Sequence, residues 1–363
     1  MAANQTTGEA GPRRGIVGWI EDRTNITPVI NAGLHVRVPM TARTMYFGGI
    51  ALFLFMIQVV TGTLLALYYK PTPEAAYKSV QFLTSDVSFG WLIRSVHHWA
   101  ANLMILFVVL HLLRVFFQAA YKYPRELTWV VGCLLFMVTL GFGFTGYLLP
   151  WDQRAYWATV VGTEIAGSVP LIGSSLLLLL RGGADVTGET MSRFFGIHVL
   201  VLPLLLGALI AGHLILVHQL GIANPKRPEP RTAEGKADAA KEPLRPFFPH
   251  YMIDEMVAWY ILLAVLVVLA SLFPAGLEDQ ANQLQTPAHI KPEWYYLGVY
   301  QLLKLVPRLV GVLVPIVGIG VLVIWPFLDR KPEVLMRRRL LAVTGATLVM
   351  VGLIVLTVVG YVS

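Results

Sequence analysis

The sequence predicts an all-α integral membrane protein: seven transmembrane helices, four forming an N-terminal bundle and three following at the C-terminus. Three observations carry this. Hydrophobic residues make up 56% of the 363-residue chain and charged ones 13%, with a mean hydropathy of +0.65. Apolar runs of about 20 residues recur, the length that crosses a bilayer core. Four histidines stand inside those runs at matched spacing, and an ionisable side chain at that depth is a functional candidate by default.

The spans are read at roughly 45–69, 92–117, 128–149, 194–218, 256–274, 307–328 and 339–361. Residues 1–44 are polar, basic and broken by prolines and glycines, so they hold no cleavable signal peptide and the first span serves as its own insertion signal. Residues 45–219 form the four-helix unit. Residues 220–250 form a linker whose stretch IANPKRPEPRTAEGKADAAKEPLRPFF is too rich in proline and charge to bury a core. Residues 251–363 supply the last three helices.

Orientation follows from lysine and arginine, which accumulate on the side that is not translocated. With the N-terminus inside, the inner segments hold 19 of the 28 Lys and Arg residues and the outer ones 9, and seven crossings put the C-terminus outside. The net charge of +7 and pI near 9.5 therefore express topology and anionic headgroups, and the chain contains no nucleic-acid-binding module. Cys133 is the single cysteine. It can form no internal disulfide, no C-x-x-C-H haem attachment exists, and inside the third span it reads as a packing residue.

His97 and His111 are 14 residues apart in the second span, almost four helical turns, so both leave one face, roughly 21 Å apart. His198 and His213 are 15 apart in the fourth span, about 60° past four turns, an overshoot that requires a side-chain torsion or a local helix distortion. Two such helices facing each other would grip two stacked haems, His97 with His198 and His111 with His213, each iron held from both sides by neutral imidazole. With both axial positions filled, no site remains for oxygen or substrate, and such haems carry electrons. Gly48 and Gly62 in the first span, and Gly132 and Gly146 in the third, repeat the interval of 14 and would let a flat macrocycle press against backbone. Ordinary small-residue helix packing is the alternative. His98 points roughly 100° away from His97 and has Leu112 14 residues on, so it stays outside the iron shell. Arg94 and Arg114 each lie three residues from a ligand; pairing with haem propionates and snorkelling to headgroups both fit. The second and fourth spans both run outside to inside, which places the first haem near the outer face and the second near the inner.

The stretches SVHHWAANLMILFVVLHLLRVF, PRELTWVVG, GFTGYLLPWDQRAYWATVVG, RFFGIHVLVLPLLLGALIAGH and KPEWYYLGVYQLLKLVPRLVG resemble cytochrome b of the bc1 and b6f complexes, over about residues 15–355. The 15-residue spacing and the seven spans resemble the b6 protein fused to its subunit IV rather than the eight-span mitochondrial form. Where b6 proteins carry a cysteine that tethers an extra haem, this chain has Tyr46, which speaks against a third haem.

The resemblance implies a quinol:cytochrome c oxidoreductase, or one with a plastocyanin-type acceptor. Quinol is oxidised at the outer face, and one electron passes to a Rieske iron–sulfur protein and on to a cytochrome c, c1-type or f-type subunit. The other descends two non-covalent b-type haems to an inner quinone site, coupled to proton translocation. The resemblance also implies an outer pocket of Pro292, Glu293, Trp294 and Tyr295 facing Tyr147, Trp157 and Ala158, with Glu293, Tyr295 and Tyr147 closest to the chemistry. It implies His218 as an inner quinone contact, a headgroup-level histidine being the alternative, and brings Glu255 near the place of a quinone-site acid. PEWY in place of PDWY implies a higher-potential quinone. A homodimeric complex in a bacterial inner membrane, or an equivalent energy-transducing membrane, is the family expectation.

Independently of the resemblance, the loop 275–305 falls on the outer side. An interfacial aromatic belt accounts for Trp294, Tyr295, Tyr296 and Tyr300, but not for a carboxylate among them. Two other function classes use the same histidines. A di-haem b anchor of another quinone-linked dehydrogenase or reductase needs neither the 147–158 nor the 292–295 motif. A transporter relaying protons through histidine would show no haem spectrum.

Overall fold

The computed structural model describes residues 15–24, 36–39, 46–223, 243–288 and 290–363. Most of the expected N-terminal segment 1–44 and the middle of the 220–250 linker lie outside the described residues. Helix α1 covers Ile16–Thr24 and strand β1 Arg37–Pro39. Then come α2 (Phe47–Ala66), α3 (Ala76–Ser85), α4 (Gly90–Phe117), α5 (Glu126–Tyr147), α6 (Gln153–Gly167), α7 (Gly173–Arg181), α8 (Gly188–Gly196) and α9 (Leu202–Leu220). A π-helical turn, Ile197–Val201, joins α8 to α9 without a break. Strand β2 (Leu244–Pro246) pairs antiparallel with β1 and leads into α10 (Met252–Leu272), α11 (Trp294–Leu305), α12 (Arg308–Leu328) and α13 (Leu340–Val362).

Seven of these stretches are long and apolar enough to cross a membrane: α2, α4, α5, the continuous Gly188–Leu220, Phe247–Leu272, α12 and α13. They coincide with the seven spans read from hydropathy to within a few residues at most ends, because contiguous apolar length is what both measure. The two longest departures are the N-terminal extensions of the fourth and fifth spans. Hydropathy did not disclose α11, which at 12 residues is too short to cross.

The C-terminal helices pack on the N-terminal bundle at two depths. Leu54 of α2, Ala100 and Met104 of α4, and Leu262 and Leu266 of α10 form one cluster, in which the fully buried Ala100 permits close helix approach. Phe116, Tyr121, Trp129 and Cys133 form another with Leu322 and Trp325 of α12. Cys133, 1% exposed, is a packing residue there. A buried polar latch fastens the same end: Lys122 Nζ lies 2.8 Å from Asp329 Oδ1, and Tyr121 Oη donates to Asp329 Oδ2 at 2.5 Å. Trp325 Nε1 donates to Tyr121 Oη at 2.8 Å, and Arg339 donates to the same oxygen.

At the opposite end Trp151, Tyr156, Val186, Met191 and Phe194 hold α6 and α8 together. Helix α6 starts where Asp152 Oδ1 accepts from the Ala155 amide at 2.9 Å, and α8 starts on a reciprocal Thr187–Thr190 capping box. The π turn has a cause in Pro203. It has no N–H to give the Val199 carbonyl, and its ring crowds that carbonyl. The turn accommodates an extra residue and contains His198, and of the two ways of absorbing a 15-residue histidine interval, torsion or helix distortion, it supplies the second.

Candidate functional site

Glycines come from α2 and α5, histidines from α4 and the Gly188–Leu220 helix, and they meet one to one. A Cβ on Gly62 would lie 3.1 Å from Cε1 of His97, and one on Gly146 2.5 Å from Cε1 of His198. In the second tier the distances are 3.1 Å from Gly48 to His111 and 3.5 Å from Gly132 to His213. The four glycines thus clear the four imidazoles, and at three of them a methyl group would press into the ring.

The ring centres of His97 and His198 are 6.5 Å apart, with planes at 67°. A metal–imidazole bond is about 2 Å long and the ring centre lies about 1.2 Å beyond the nitrogen, so two imidazoles on one metal stand about 6.4 Å apart. The gap fits one iron. Threonine hydroxyls meet both Nδ1 atoms of this tier, Thr61 at 2.8 Å from His97 and Thr145 at 3.1 Å from His198.

A cavity of about 700 Å³ opens from this tier. His97, His198, Gly62, Gly146 and Arg94 line it together with Tyr147, Arg154, Glu278, Glu293 and Tyr295. The Glu293 carbonyl begins α11, accepting from the Tyr296 amide at 2.9 Å and the Leu297 amide at 3.1 Å. Its side chain makes no capping bond, which leaves the carboxylate to the cavity. Burial raises its pKa, and the Arg154 guanidinium opposes that rise. Burial likewise pushes the Tyr295 phenol up, with the Glu293 carboxylate adding to the effect.

Pro292, Trp294, Trp157 and Ala158 are not among the lining residues. Trp294 Nε1 donates to Asn102 Oδ1 at 2.8 Å, anchoring α11 to α4. Trp157 Nε1 donates to the Asn282 carbonyl at 3.3 Å, and Arg154 pairs with Glu278, so α6 carries the segment that leads into α11. Arg94 donates to the carbonyls of Ala275 at 2.8 Å and Gly276 at 2.6 Å, holding the start of that segment over the His97 tier. His98 lines the cavity beside it.

Around the His111 tier, Arg114 Nε donates to Gln118 Oε1 at 3.0 Å. The Glu255 carboxylate occupies the space a Cβ on Gly49 would need, which presses α10 against α2. Tyr46 Oη donates to Asp254 Oδ2 at 3.1 Å, and Arg245 donates to both, at 2.7 Å to Asp254 and 3.2 Å to Tyr46. His218 lies exposed in the last turn of α9. Thr61, Thr145, Asn102, Gly143, Gly49 and the Arg154–Glu278 pair escaped the reading of the sequence. Only the threonines left a legible signal, a Thr-Gly dipeptide repeated at 61–62 and 145–146.

Two tiers of facing histidines cleared by glycines, with a carboxylate-bearing cavity on one tier, define a multi-pass membrane bundle built to hold cofactors between its helices. Profiles for "Cytochrome b/b6/petB" and "Cytochrome b(C-terminal)/b6/petD" match residues 35–221 and 280–363. A cytochrome bc complex cytochrome b subunit of Chlorobaculum thiosulfatiphilum is 41% identical over 327 residues, 88% of this chain and 74% of the relative. The cytochrome b subunit of a menaquinol:cytochrome c reductase of Bacillus subtilis is 46% identical over 219 residues, 58% of this chain and 98% of the relative. A solved structure titled "Hyperthermophilic respiratory Complex III" superposes with a TM-score of 0.83 at 34% identity, covering 95% of this chain and 91% of that one. The chain belongs to the cytochrome b family of bc-type complexes, with the b6-like and subunit IV-like parts in one polypeptide. It is an oxidoreductase core subunit embedded in the membrane.

Proposed function

We propose that each histidine tier holds one b-type haem without covalent attachment, and that quinol is oxidised in the cavity lined by Glu293. The observation that carries this reading is the continuity of that cavity: the same space touches His97, His198, Tyr147, Tyr295 and Glu293. Bound there and at the second tier, the haems supply a one-electron path along the bundle.

The chain's own residues do the rest. Glu293 takes a proton from the quinol hydroxyl, its basicity raised by burial and restrained by Arg154. Tyr147 and Tyr295 wall the substrate, and Arg94 keeps the 275–276 backbone in place over it. At the second tier Glu255 supplies a proton for quinone reduction and His218 contacts the quinone. Lysine and arginine bias puts the Glu293 end outside and the Glu255 end inside. The N-terminal 45–219 unit then carries both haems and the 251–363 unit carries the PEWY segment. Tyr46, held by Asp254 and Arg245, takes no third haem. The relatives' names, a bc complex and a cytochrome c reductase, support a c-type cytochrome as partner. A Rieske iron–sulfur protein and a second copy of the complex complete the proposed assembly on the family resemblance.

The test is a reduced-minus-oxidised spectrum of the purified complex, first with dithionite and then with quinol while the inner site is blocked. Two b-type components are expected, one of them missing from His111→Ala, with quinol reducing the other. A single component, or a covalently bound third haem, would overturn the assignment.

A further inference from the structure

Thr61 and Thr145 each meet a histidine of the same tier through the side-chain hydroxyl. Thr61 Oγ1 donates to the Ile57 carbonyl at 2.7 Å, and Thr145 Oγ1 to the Gly141 carbonyl at 2.8 Å. A hydroxyl has one proton, and here it is committed to the carbonyl four residues back. Toward the imidazole the oxygen can therefore only accept. Nδ1 of His97, at 2.8 Å, and Nδ1 of His198, at 3.1 Å, must carry their ring protons, which leaves both Nε2 lone pairs for a metal.

The other tier lacks this device. Nδ1 of His111 and Nδ1 of His213 meet no side-chain hydroxyl among the described residues. Backbone does not make the difference, since the backbone of Phe142 hydrogen-bonds His198 and that of Thr128 hydrogen-bonds His213 alike; the threonine hydroxyls are what the first tier has in addition. The residues preceding the second-tier glycines are Phe47 and Val131, where the first tier has Thr61 and Thr145. Neither can accept a proton.

We infer that Thr61 and Thr145 are positioning residues which fix the tautomer of the His97–His198 pair and make those two imidazoles stronger electron donors than His111 and His213. A carbonyl that polarises a hydroxyl, which in turn draws on an N–H, forms a cooperative chain, and second-shell acceptors of this kind raise ligand basicity. Greater donation favours ferric over ferrous iron. The haem of this tier is thereby held at a lower potential than it would have without the threonines, so an electron arriving beside Glu293 is biased onward to the second tier. This rests on the assignment of one haem to each tier.

The test is redox titration of the two α-bands in the intact complex carrying Thr61→Val, Thr145→Val or both, the bands assigned with His111→Ala. Valine keeps the shape and removes the acceptor. The double variant is expected to raise the midpoint of the His97–His198 haem by about 59 mV, tenfold in the one-electron equilibrium, with the other haem unmoved. Its low-spin electron paramagnetic resonance signal should shift as the rings lose their restraint, and Thr61→Ser with Thr145→Ser should restore both readouts. An unmoved midpoint in a double variant that binds both haems overturns the inference, as does an equal shift of both. Absence of haem from the wild-type tiers would instead overturn the cofactor assignment.

Discussion

Gly143 of α5 lies against the ring of Tyr295: a Cβ there would stand 2.8 Å from the phenol oxygen and 3.1 Å from Cε2. Tyr295 is packed on its other sides by Trp294 and Tyr296, with ring centres 5.5 and 4.8 Å away, and Tyr296 is itself pinned by a 2.6 Å bond to the Leu140 carbonyl. The added methyl of Gly143→Ala therefore drives Tyr295 into the cavity proposed to take quinol. Overpacking of this kind costs roughly 1–3 kcal/mol. The expected outcome is a raised KM for quinol with unchanged haem spectra; an unaltered KM would mean that Tyr295 does not border the substrate.

The glycines facing the histidines differ in clearance, which makes them a graded series. Gly146 has 2.5 Å to His198, whereas Gly132 has 3.5 Å to His213, an ordinary van der Waals distance. Gly146→Ala should displace the His198 ring and deplete the haem of that tier, while Gly132→Ala should leave two haems bound. Pyridine haemochrome counts of the two purified variants decide it. Equal haem content in both would show that these glycines serve helix packing alone.

The seven spans, the histidine tiers and the PEWY segment were legible because each is a pattern along the chain: apolar length, a 14-residue interval, a local motif. Even the helix distortion at His198 was foreshadowed by the odd interval of 15, although its seat at Pro203 was not. What escaped were contacts between distant segments. Arg154 meets Glu278 and Asn102 meets Trp294 only because α6 and α4 bracket the 275–293 chain, and no periodicity records that juxtaposition. Gly143 and Gly49 fall outside the 14-residue repeat, and their constraint comes from Tyr295 and Glu255 on other helices.

The latch around Tyr121 predicts how the two parts of the chain stay together. Asp329 is 16% and Lys122 9% exposed, so Asp329→Asn leaves Lys122 and the buried Arg339 without their counter-charge. Breaking a buried pair from one side costs about 3 kcal/mol. Burial would raise the Asp329 pKa, but hydrogen bonds from Lys122 and Tyr121, with the charges of Lys122 and Arg339, outweigh it and lower the value. A depressed folded pKa means that this stabilisation is present above the unfolded pKa and is lost as pH falls through the folded one. Thermal melts of the detergent complex should show Asp329→Asn melting lower than wild type at neutral pH, with the difference shrinking under strong acid. A constant difference across pH would remove the ion pair from the explanation.

Arg154 tunes the base. Its guanidinium lowers the pKa of Glu293 against the rise caused by burial. Tyr147, Tyr295, Asp152 and Glu278 are the other titratable groups around the pair, and burial with the neighbouring Glu293 carboxylate pushes the Tyr295 phenol up, out of the working range. A general base acts when deprotonated, so the rate of quinol oxidation rises with pH through the Glu293 pKa. Arg154→Gln removes the lowering charge, which moves the rising limb to higher pH. The loss should be largest at the acid end and small at the alkaline end. A uniform loss at all pH values would instead make Arg154 a structural tie to Glu278.

The proposed quinol oxidation makes Glu293 the group on which the reaction depends. Quinol cannot give up its electrons in a water-poor cavity without a proton acceptor, and among the carboxylates lining the cavity Glu293 is the one at the start of α11, close to both Tyr147 and Tyr295. Glu293→Gln preserves size and hydrogen bonding but removes the proton carrier, and the helix start survives because the backbone carbonyl of residue 293 caps α11. A positioned base contributes about 10²-fold or more. Pre-steady-state reduction of the nearer haem by quinol, with the inner site blocked, should slow by about that factor while both haem spectra and the complex's melting temperature stay as in the wild type. Double substitution with Arg154→Gln should add little, since the arginine acts through the carboxylate that is gone. Wild-type rates in Glu293→Gln across the pH range would reject it as the acceptor and leave it a structural part of the pocket.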